Sequence, residues 1–483
     1  MTDSLDARRT ARATGFALLA TALEKGGAMV LLLLIARTLG AEDFGRYAAL
    51  MALLAFVQLA AELGQEPVLV RLLAQRSEAE AVTLVDGALA LRLVCTTLGG
   101  VLLAVIGTRL LPTVGRVPIV LAAAGLVAAS ATGLRAVFRT EQRLERLCVV
   151  ALANVTTFGL ALAIARALGL GLAGAVAAWG SGQLASSLAA FRLVRREHPI
   201  RPRWRTTVAG TLARSGWVLA LNAVLLTVTL RVGQLVVLRF AGAVESGYLA
   251  AGSRLAEAFA LLPEALMLVL LPVLSAYDVG ARDAQRALSV RVVRWLGVLA
   301  LTVIVAVSLA APTLVTALFG AAYLPATPAL RISIWLALLA ATGSVFTNLL
   351  IARGLERVLL GVNALSSALT IGLSLAVVPS CGFVGAAVVS LAANLLTQVM
   401  LATVRSTRLE IVACIRPLLP SVLVAVVLVV AGMWCPGPPL ALAAGGSLVF
   451  VATSAALGAI GADDWTIARR VLAPSRFVGT RPD

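Results

Sequence analysis

The sequence predicts an all-α polytopic membrane protein with about 14 transmembrane helices, built as two parallel six-helix lobes followed by two C-terminal helices. The first observation is composition: 60% of the 483 residues are hydrophobic and only 13% are charged. A soluble domain is about 25% charged, whereas 14 spans of about 20 residues need about 280 apolar-rich positions. The other two observations are regular apolar runs and repeated motifs. The composition excludes a soluble enzyme, a secreted disulfide scaffold, a fibrous protein and a disordered chain.

Fourteen apolar runs divide the chain, and each approaches or exceeds the ~20 residues that cross the hydrocarbon layer as a helix. The run after Arg8, Arg9 and Arg12 is too long for a signal-peptide core, so we interpret it as the first span. The predicted spans are 14–38, 46–64, 82–107, 117–134, 147–166, 168–190, 208–238, 246–275, 292–312, 329–350, 357–378, 381–403, 417–434 and 438–461.

The basic residues predict the orientation of the chain. They number 40, of which 39 are arginine, and against 23 acidic residues they give a net charge of +17. They lie mostly in short segments between apolar runs and form no basic and aromatic face, so we expect no nucleic-acid partner. With the N-terminus inside, the inner segments hold 28 of them and the outer segments seven, as the positive-inside rule requires. Both termini are therefore predicted to be cytoplasmic.

The five cysteines and the single histidine, His198, show no spacing that suits a metal or haem site. We therefore predict five free cysteines, no metal site and no cofactor. Cys381 and Cys435 could both lie near the outer surface, and a disulfide between them is the less favoured alternative.

Two motifs recur in the two halves of the chain. Arg37–Gly45 matches Arg239–Gly247 at an offset of 202, and Gly171–Val176 matches Gly382–Ala387 at an offset of 211. Each motif occupies the same place in its half, so the halves are predicted to be parallel repeats related by an axis along the membrane normal. The glycines predicted to form the outer turns are Gly40, Gly45, Gly242 and Gly247.

The repeat defines the predicted domains. The N-lobe comprises residues 1–191 and the C-lobe residues 207–404, joined by a basic cytoplasmic linker at 192–206. Residues 405–483 hold the last two spans and a cytoplasmic tail. A duplicated six-helix bundle with a cleft between its halves is typical of an alternating-access transporter.

The order of further motifs points to a known family. Ala36–Tyr47 resembles the N-terminal signature of the Wzx-type polysaccharide biosynthesis flippases, a branch of the multidrug/oligosaccharidyl-lipid/polysaccharide (MOP) exporter superfamily. The similarity covers about residues 10–405. It continues through Gly247–Ala251, Leu262–Ala265, Leu271–Ser275, Leu318–Gly320 with Tyr323, and Gly382–Ala387.

This resemblance implies two lobes in a V and a flippase, not an enzyme. The flippase would move undecaprenyl-diphosphate-linked oligosaccharide from the inner to the outer leaflet of a bacterial plasma membrane. The product would be O-antigen of lipopolysaccharide, capsule or exopolysaccharide. The expected partners are the lipid-linked oligosaccharide, the lipid bilayer, and a polysaccharide polymerase with chain-length proteins.

Charged residues inside the predicted spans are the candidate binding residues. Placing a charged side chain in hydrocarbon costs about 2.5–3.5 kcal/mol, so each one needs an ion-pair partner, contact with water or a functional role. The resemblance implies a cationic lumen, and cations suit a diphosphate. We predict that Lys25, Arg92, Arg231 and Arg254 face the cleft and bind the headgroup. The predicted counter-ions are Glu24, Asp86 and Glu257, which are also candidates for binding a coupling proton or sodium ion.

Internal ion pairs are the alternative reading of the same charges. Arg254 has Glu257 at i,i+3, and Lys25 has Glu24 and Asp86 as potential partners. Arg214 and Glu62 lie near span ends and are expected to reach water. In span 8, the residues Pro263 and Pro272 predict a kink.

Other functions fit the sequence less well. A cation-coupled multidrug exporter of the same superfamily needs a committed acidic site in one lobe, whereas the charges here are mixed across both. A lipid II flippase is a near relative that the sequence separates poorly. A membrane glycosyltransferase, polymerase or ligase would need catalytic groups on a large outer loop, and no segment between spans exceeds about 20 residues. An assembly scaffold leaves the repeat unexplained.

Overall fold

The computed structural model describes the backbone of residues 2–275, 282–352, 355–404 and 408–457, and these residues fold almost entirely into helices. A helix satisfies its backbone groups internally, which an apolar segment in lipid requires. The helices up to the linker are α1 (Thr2–Glu62), α2 (Gln65–Leu73), α3 (Glu78–Leu110), α4 (Arg116–Ala128), α5 (Arg135–Thr140), α6 (Glu145–Ala167) and α7 (Gly171–Arg195). Those that follow are α8 (Thr206–Phe240), α9 (Ala243–Ser275), α10 (Arg282–Phe319), α11 (Thr327–Ser333), α12 (Leu336–Ala352), α13 (Glu356–Thr403), α14 (Arg408–Ile415), α15 (Leu419–Trp434) and α16 (Pro439–Ala456).

Ten stretches of the described residues are long and apolar enough to cross a membrane. Two of them contain a non-helical glycine, Gly40 in α1 (φ 74°, ψ 174°) and Gly382 in α13 (φ 56°, ψ −145°). Gly40 falls between two predicted spans and Gly382 at the start of the span predicted at 381–403. Glycine can turn the chain at these places because positive φ carries no steric cost for it. The predicted all-helical polytopic class is confirmed, and the number 14 stays a prediction.

Large apolar side chains cover much of the surface. Leu98, Leu160, Leu423 and Leu448 are between 65% and 72% exposed. Apolar area in water is unfavourable by about 25 cal/mol per Å², whereas lipid tails solvate it. The chain is therefore a multi-pass membrane protein.

The chain forms two compact units. Unit 1 holds the described residues up to Arg254 together with Val315–Ala329 and Glu356–Thr397, and unit 2 holds the other described residues. Near the end of unit 1 that carries the linker, Phe138, Ile200 and Leu212 are buried in an apolar core. In unit 2, Gly432 of α15 packs against Leu309 of α10. The predicted lobe boundaries stay predictions.

Two predicted features fall partly or wholly outside the described residues. The side chains of 260–289 are outside them, so the kink predicted from Pro263 and Pro272 stays a prediction, although α9 continues through both positions. The cytoplasmic tail predicted after residue 461 lies outside them entirely.

Candidate functional site

Arg92 is buried in unit 1, with 4% of its surface exposed. Its Nη2 donates to Glu62 Oε1 at 2.7 Å and to Thr132 Oγ1 at 3.2 Å. Gly133 leaves room for it, because a Cβ there would lie 3.0 Å from Arg92 Cδ and Nη1. Glu62 thus pairs with a buried cation, while 26% of its own side chain stays exposed. A role for Arg92 in binding a headgroup stays a prediction.

The predicted counter-ions Glu24 and Asp86 contact groups that sequence spacing does not reveal. Glu24 Oε1 lies 2.7 Å from Arg135 Nη1. The Asp86 side chain is buried, and its Oδ1 accepts a hydrogen bond from the backbone N–H of Arg201 at 2.7 Å. Asp86 therefore fixes the linker that follows α7.

The other predicted cations lie at more accessible positions. Lys25 is exposed on α1, and Arg231 of α8 and Arg254 of α9 are half-buried. Glu257 is half-buried at the start of unit 2. Their roles as headgroup ligands or counter-ion stay predictions.

Two glycines bring α1 and α9 into backbone contact at a place that we call the glycine crossing. A Cβ on Gly45 would lie 1.9 Å from the carbonyl oxygen of Ala243, and a Cβ on Gly247 would lie 2.0 Å from that of Ala41. Ser246 Oγ also donates to the carbonyl of Gly45 at 3.1 Å. The contact is reciprocal, as expected where two matching motifs meet.

The outer turns predicted at Gly40–Gly45 and Gly242–Gly247 are shorter in the structure than the sequence predicts. Gly40 and Gly242 have φ of 74° and 98° and turn the chain. Gly45 and Gly247 lie within helices, so their prediction as turn residues is corrected to one of close helix packing, for which the small size of glycine is required.

Beside the glycine crossing lies a group of rings that we call the aromatic cluster: Phe44, Tyr47, Tyr248, Phe319, Tyr323 and Phe383. Tyr323 is its centre, with ring centroids 6.1 Å from Phe44 and 5.5 Å from Phe319. The Tyr323 hydroxyl donates to the carbonyl of Ala36 at 2.8 Å, and Arg37 Nε donates to that of Leu318 at 2.8 Å. The rings and hydrogen bonds join α1 to the end of α10 and the segment after it.

Glu245 links α9 to the break in α13. Its Oε2 accepts a hydrogen bond from the backbone N–H of Phe383 at 3.0 Å. A Cβ on Gly382 would lie 2.2 Å from the same oxygen and would displace the carboxylate, and its φ of 56° favours glycine. Glu245 was not among the predicted site residues. The repeated motifs could have indicated it, since Glu245 belongs to the motif Arg239–Gly247 and Phe383 belongs to the motif Gly382–Ala387.

The linker after α7 is held by a group of charges that we call the linker clasp: Glu141, Arg143, Arg146, Glu197 and His198. Glu197 pairs with Arg143 and Arg146, and His198 Nε2 lies 2.8 Å from Glu141 Oε1. Hydrogen bonds from Arg146 and then Arg143 lower the pKa of the Glu197 carboxyl to about 2.

The same clasp is the group of described residues best placed to hold a metal. Ligand atoms of Glu141, Glu197 and His198 all lie within 4.8 Å of one another. Both carboxylates already have cationic or imidazole partners, so the arrangement is explained by ion pairing.

The sequence profile of a family described as polysaccharide biosynthesis protein matches residues 10–278, more than half of the chain. The chain belongs to this family. This match confirms the predicted family of polysaccharide biosynthesis proteins.

Solved structures show which fold this polysaccharide biosynthesis protein shares. The lipid II flippase MurJ in an inward closed conformation has a TM-score of 0.70 at 13% identity, covering 90% of this chain and 98% of that one. An inward-facing multidrug resistance MATE transporter of the MOP superfamily has a TM-score of 0.63 at 16% identity, and the match covers 83% of this chain and 99% of that one. A MOP superfamily transporter from Pyrococcus furiosus has a TM-score of 0.54 at 14% identity, and the match covers 84% of this chain and 96% of that one. No curated protein sequence gives a significant match.

Proposed function

We propose that this polysaccharide biosynthesis protein is a flippase. Its substrate is undecaprenyl-diphosphate-linked oligosaccharide, moved from the inner to the outer leaflet of a bacterial plasma membrane for O-antigen, capsule or exopolysaccharide. The family match over residues 10–278 carries the proposal, because it ties the chain to polysaccharide biosynthesis while the fold is that of MOP transporters. The protein acts by transport and makes or breaks no covalent bond.

The glycine crossing and the aromatic cluster supply the closed end that alternating access needs. In the predicted orientation, in which both termini are cytoplasmic, the glycine crossing and the aromatic cluster lie on the outer side of the membrane. Gly45 and Gly247 allow backbone contact, and Tyr323 fills the space beside it. Opening this end would break the Tyr323–Ala36 and Glu245–Phe383 hydrogen bonds. These bonds are few and exchangeable with water, so the closure is reversible.

Lys25 and Arg254 are the cations best placed to meet the diphosphate. Both lie in unit 1, and neither is buried. A charge-assisted hydrogen bond to phosphate is worth about 1.5–3 kcal/mol, which would offset part of the hydration that the headgroup loses in crossing. A coupling proton or sodium ion would bind to carboxylates such as Glu24 or Glu257.

The test is the sidedness of undecaprenyl-diphosphate oligosaccharide in proteoliposomes. We expect wild type to expose glycan on the far leaflet, and Arg254→Ala and Lys25→Ala to slow this by about tenfold or more, since 1.4 kcal/mol is a factor of ten. Arg109→Ala, which removes an exposed arginine at the end of α3, is the matched control and should transport normally.

Each other outcome has a defined meaning. Normal transport by both variants would reject the cation assignment and leave the flippase standing. A folded wild type that moves none of several glycans would reject the flippase and favour a drug exporter, which cation-driven dye efflux from the same vesicles would reveal.

A further inference from the structure

A helix break lies inside one of the candidate membrane spans. Leu19–Leu73 is one apolar stretch, yet α1 ends at Glu62 and α2 begins at Gln65. Leu63 (φ 49°) and Gly64 (φ 61°) are both left-handed, which a leucine rarely adopts. Gly64 faces Gly216 of α8, where a Cβ on Gly216 would lie 2.2 Å from the carbonyl oxygen of Leu63. Packing against α8 thus holds the break in place.

A small cavity adjoins this break. Its polar wall is formed by Gln65, Glu66, Arg92 and Ser130, and the rest by apolar side chains such as Leu69 and Val85. The cavity has about 10 Å³ of room for the centre of a water-sized sphere, which is about what one water needs.

Two hydrogen-bond donors in this wall have no protein acceptor among the described residues. They are Gln65 Nε2 and Arg92 Nε. Gln65 is 3% exposed and Arg92 4%, so bulk water does not reach them. Buried donors in folded proteins are nearly always satisfied by protein or by ordered water. Both residues line the cavity, which offers room for an acceptor beside them.

We propose that this cavity is a binding site for one ordered water molecule. The water accepts hydrogen bonds from Gln65 Nε2 and Arg92 Nε and donates one to the carboxylate of Glu66. Three partners are typical of a buried water. A cation would face two N–H donors, and an anion such as chloride would face the carboxylate of Glu66. A neutral molecule that both accepts and donates fits the wall best.

The water would join two ion pairs across the break. Arg92 pairs with Glu62 on one side, and Glu66 Oε1 lies 2.8 Å from Arg139 Nη1 on the other. With the water between Arg92 and Glu66, the four charges form one hydrogen-bonded network with no net charge. This site is independent of the proposed substrate.

The test is a map of the full-length protein at about 2 Å, for wild type and for Gln65→Met, which keeps the side-chain length and removes the donor. We expect a spherical peak within about 2.6–3.2 Å of Gln65 Nε2 and Arg92 Nε in wild type, and its loss or displacement in the variant. Gln183→Met on α7 is the matched control and should retain the peak.

Three results would overturn the proposal. One is a well-resolved but empty cavity in wild type. Another is a rotamer in which both nitrogens donate to protein oxygens. The third is an anomalous peak in the cavity of crystals soaked in bromide, which would make the ligand an anion.

Discussion

The carboxylate of Glu62 is the charged partner that the structure shows for Arg92, with side-chain exposures of 26% and 5%. Removing one member of a buried ion pair leaves the other charge uncompensated, which costs about 3–5 kcal/mol. We therefore expect Glu62→Gln to lower the free energy of unfolding by about that amount. Denaturant unfolding of the purified protein in detergent measures it.

An exposed ion pair offers the control. Glu42 lies 2.6 Å from Arg46, and its side chain is 58% exposed. Such pairs contribute about 0–1 kcal/mol, so Glu42→Gln should barely change stability. Equal losses in the two variants would contradict the burial argument. Adding Arg92→Met to Glu62→Gln should recover part of the loss, because it removes the orphaned charge.

Glu197 gives a prediction about pH. Its folded-state pKa of about 2 lies below its usual value of 4.5, so its stabilisation is present above pH 4.5 and is lost as the pH falls towards 2. We expect the amides of residues 196–201 to stay equally protected between pH 5 and 8, once corrected for intrinsic exchange. Glu197→Gln should lower their protection throughout that range.

Hydrogen exchange measured by mass spectrometry tests this, with Glu145→Gln as an exposed control on α6. A change in wild-type protection between pH 5 and 8 would assign control of the linker clasp to a different group, the His198–Glu141 contact.

Sequence spacing located the charged residues of the spans but not their partners. The rule that residues three or four apart meet on a helix reveals only pairs on the same helix. Glu62 and Arg92 are 30 positions apart, and Glu24 and Arg135 are 111 apart. Such pairs depend on which helices become neighbours, which one sequence does not specify.

Among the helices, the glycine crossing is the contact most sensitive to a single methyl group. Gly247→Ala places a Cβ 2.0 Å from the carbonyl oxygen of Ala41, where about 3.4 Å is needed, so α1 and α9 must separate by about 1–2 Å. Spin labels at Glu42→Cys and Val244→Cys would report this by electron paramagnetic resonance, and glycan transport should fall with it.

The matched control is Gly26→Ala in α1, where a Cβ meets nothing within 4 Å. It should change neither the spin–spin distance nor transport. An unchanged distance in Gly247→Ala would mean that the contact yields without moving the helices, and the crossing would then not be the close-packed gate described above.

Apolar runs predicted where helices exist but not where they end. α1 continues from Thr2 to Glu62 with Gly40 as its only non-helical residue, although the sequence suggested a turn as far as Gly45. The repeated glycines marked the right place, since both Gly45 and Gly247 are needed there. Whether a glycine bends the chain or lets another helix approach depends on the neighbour, and α9 lies 200 residues along the chain.

For the whole molecule, the distribution of arginine predicts which end of each helix faces the cytoplasm, and native cysteines can test it. Cys381 and Cys435 are exposed and lie near the predicted outer surface, whereas exposed Arg203 lies in the predicted inner linker. We expect a membrane-impermeant maleimide to label single-cysteine variants at 381 and 435 in intact cells. A cysteine at Arg203→Cys should react only after permeabilisation.

Buried Cys414, 2% exposed, is the control and should react only after denaturation. Two predicted spans separate Cys381 from Cys435, so the two must react from the same side if both spans cross. Labelling from opposite sides would mean that either the second half of α13 or α15 does not cross as predicted, and the count of 14 would fail. Labelling of both from the cytoplasm would invert the whole molecule, and the glycine crossing would then close the inner end.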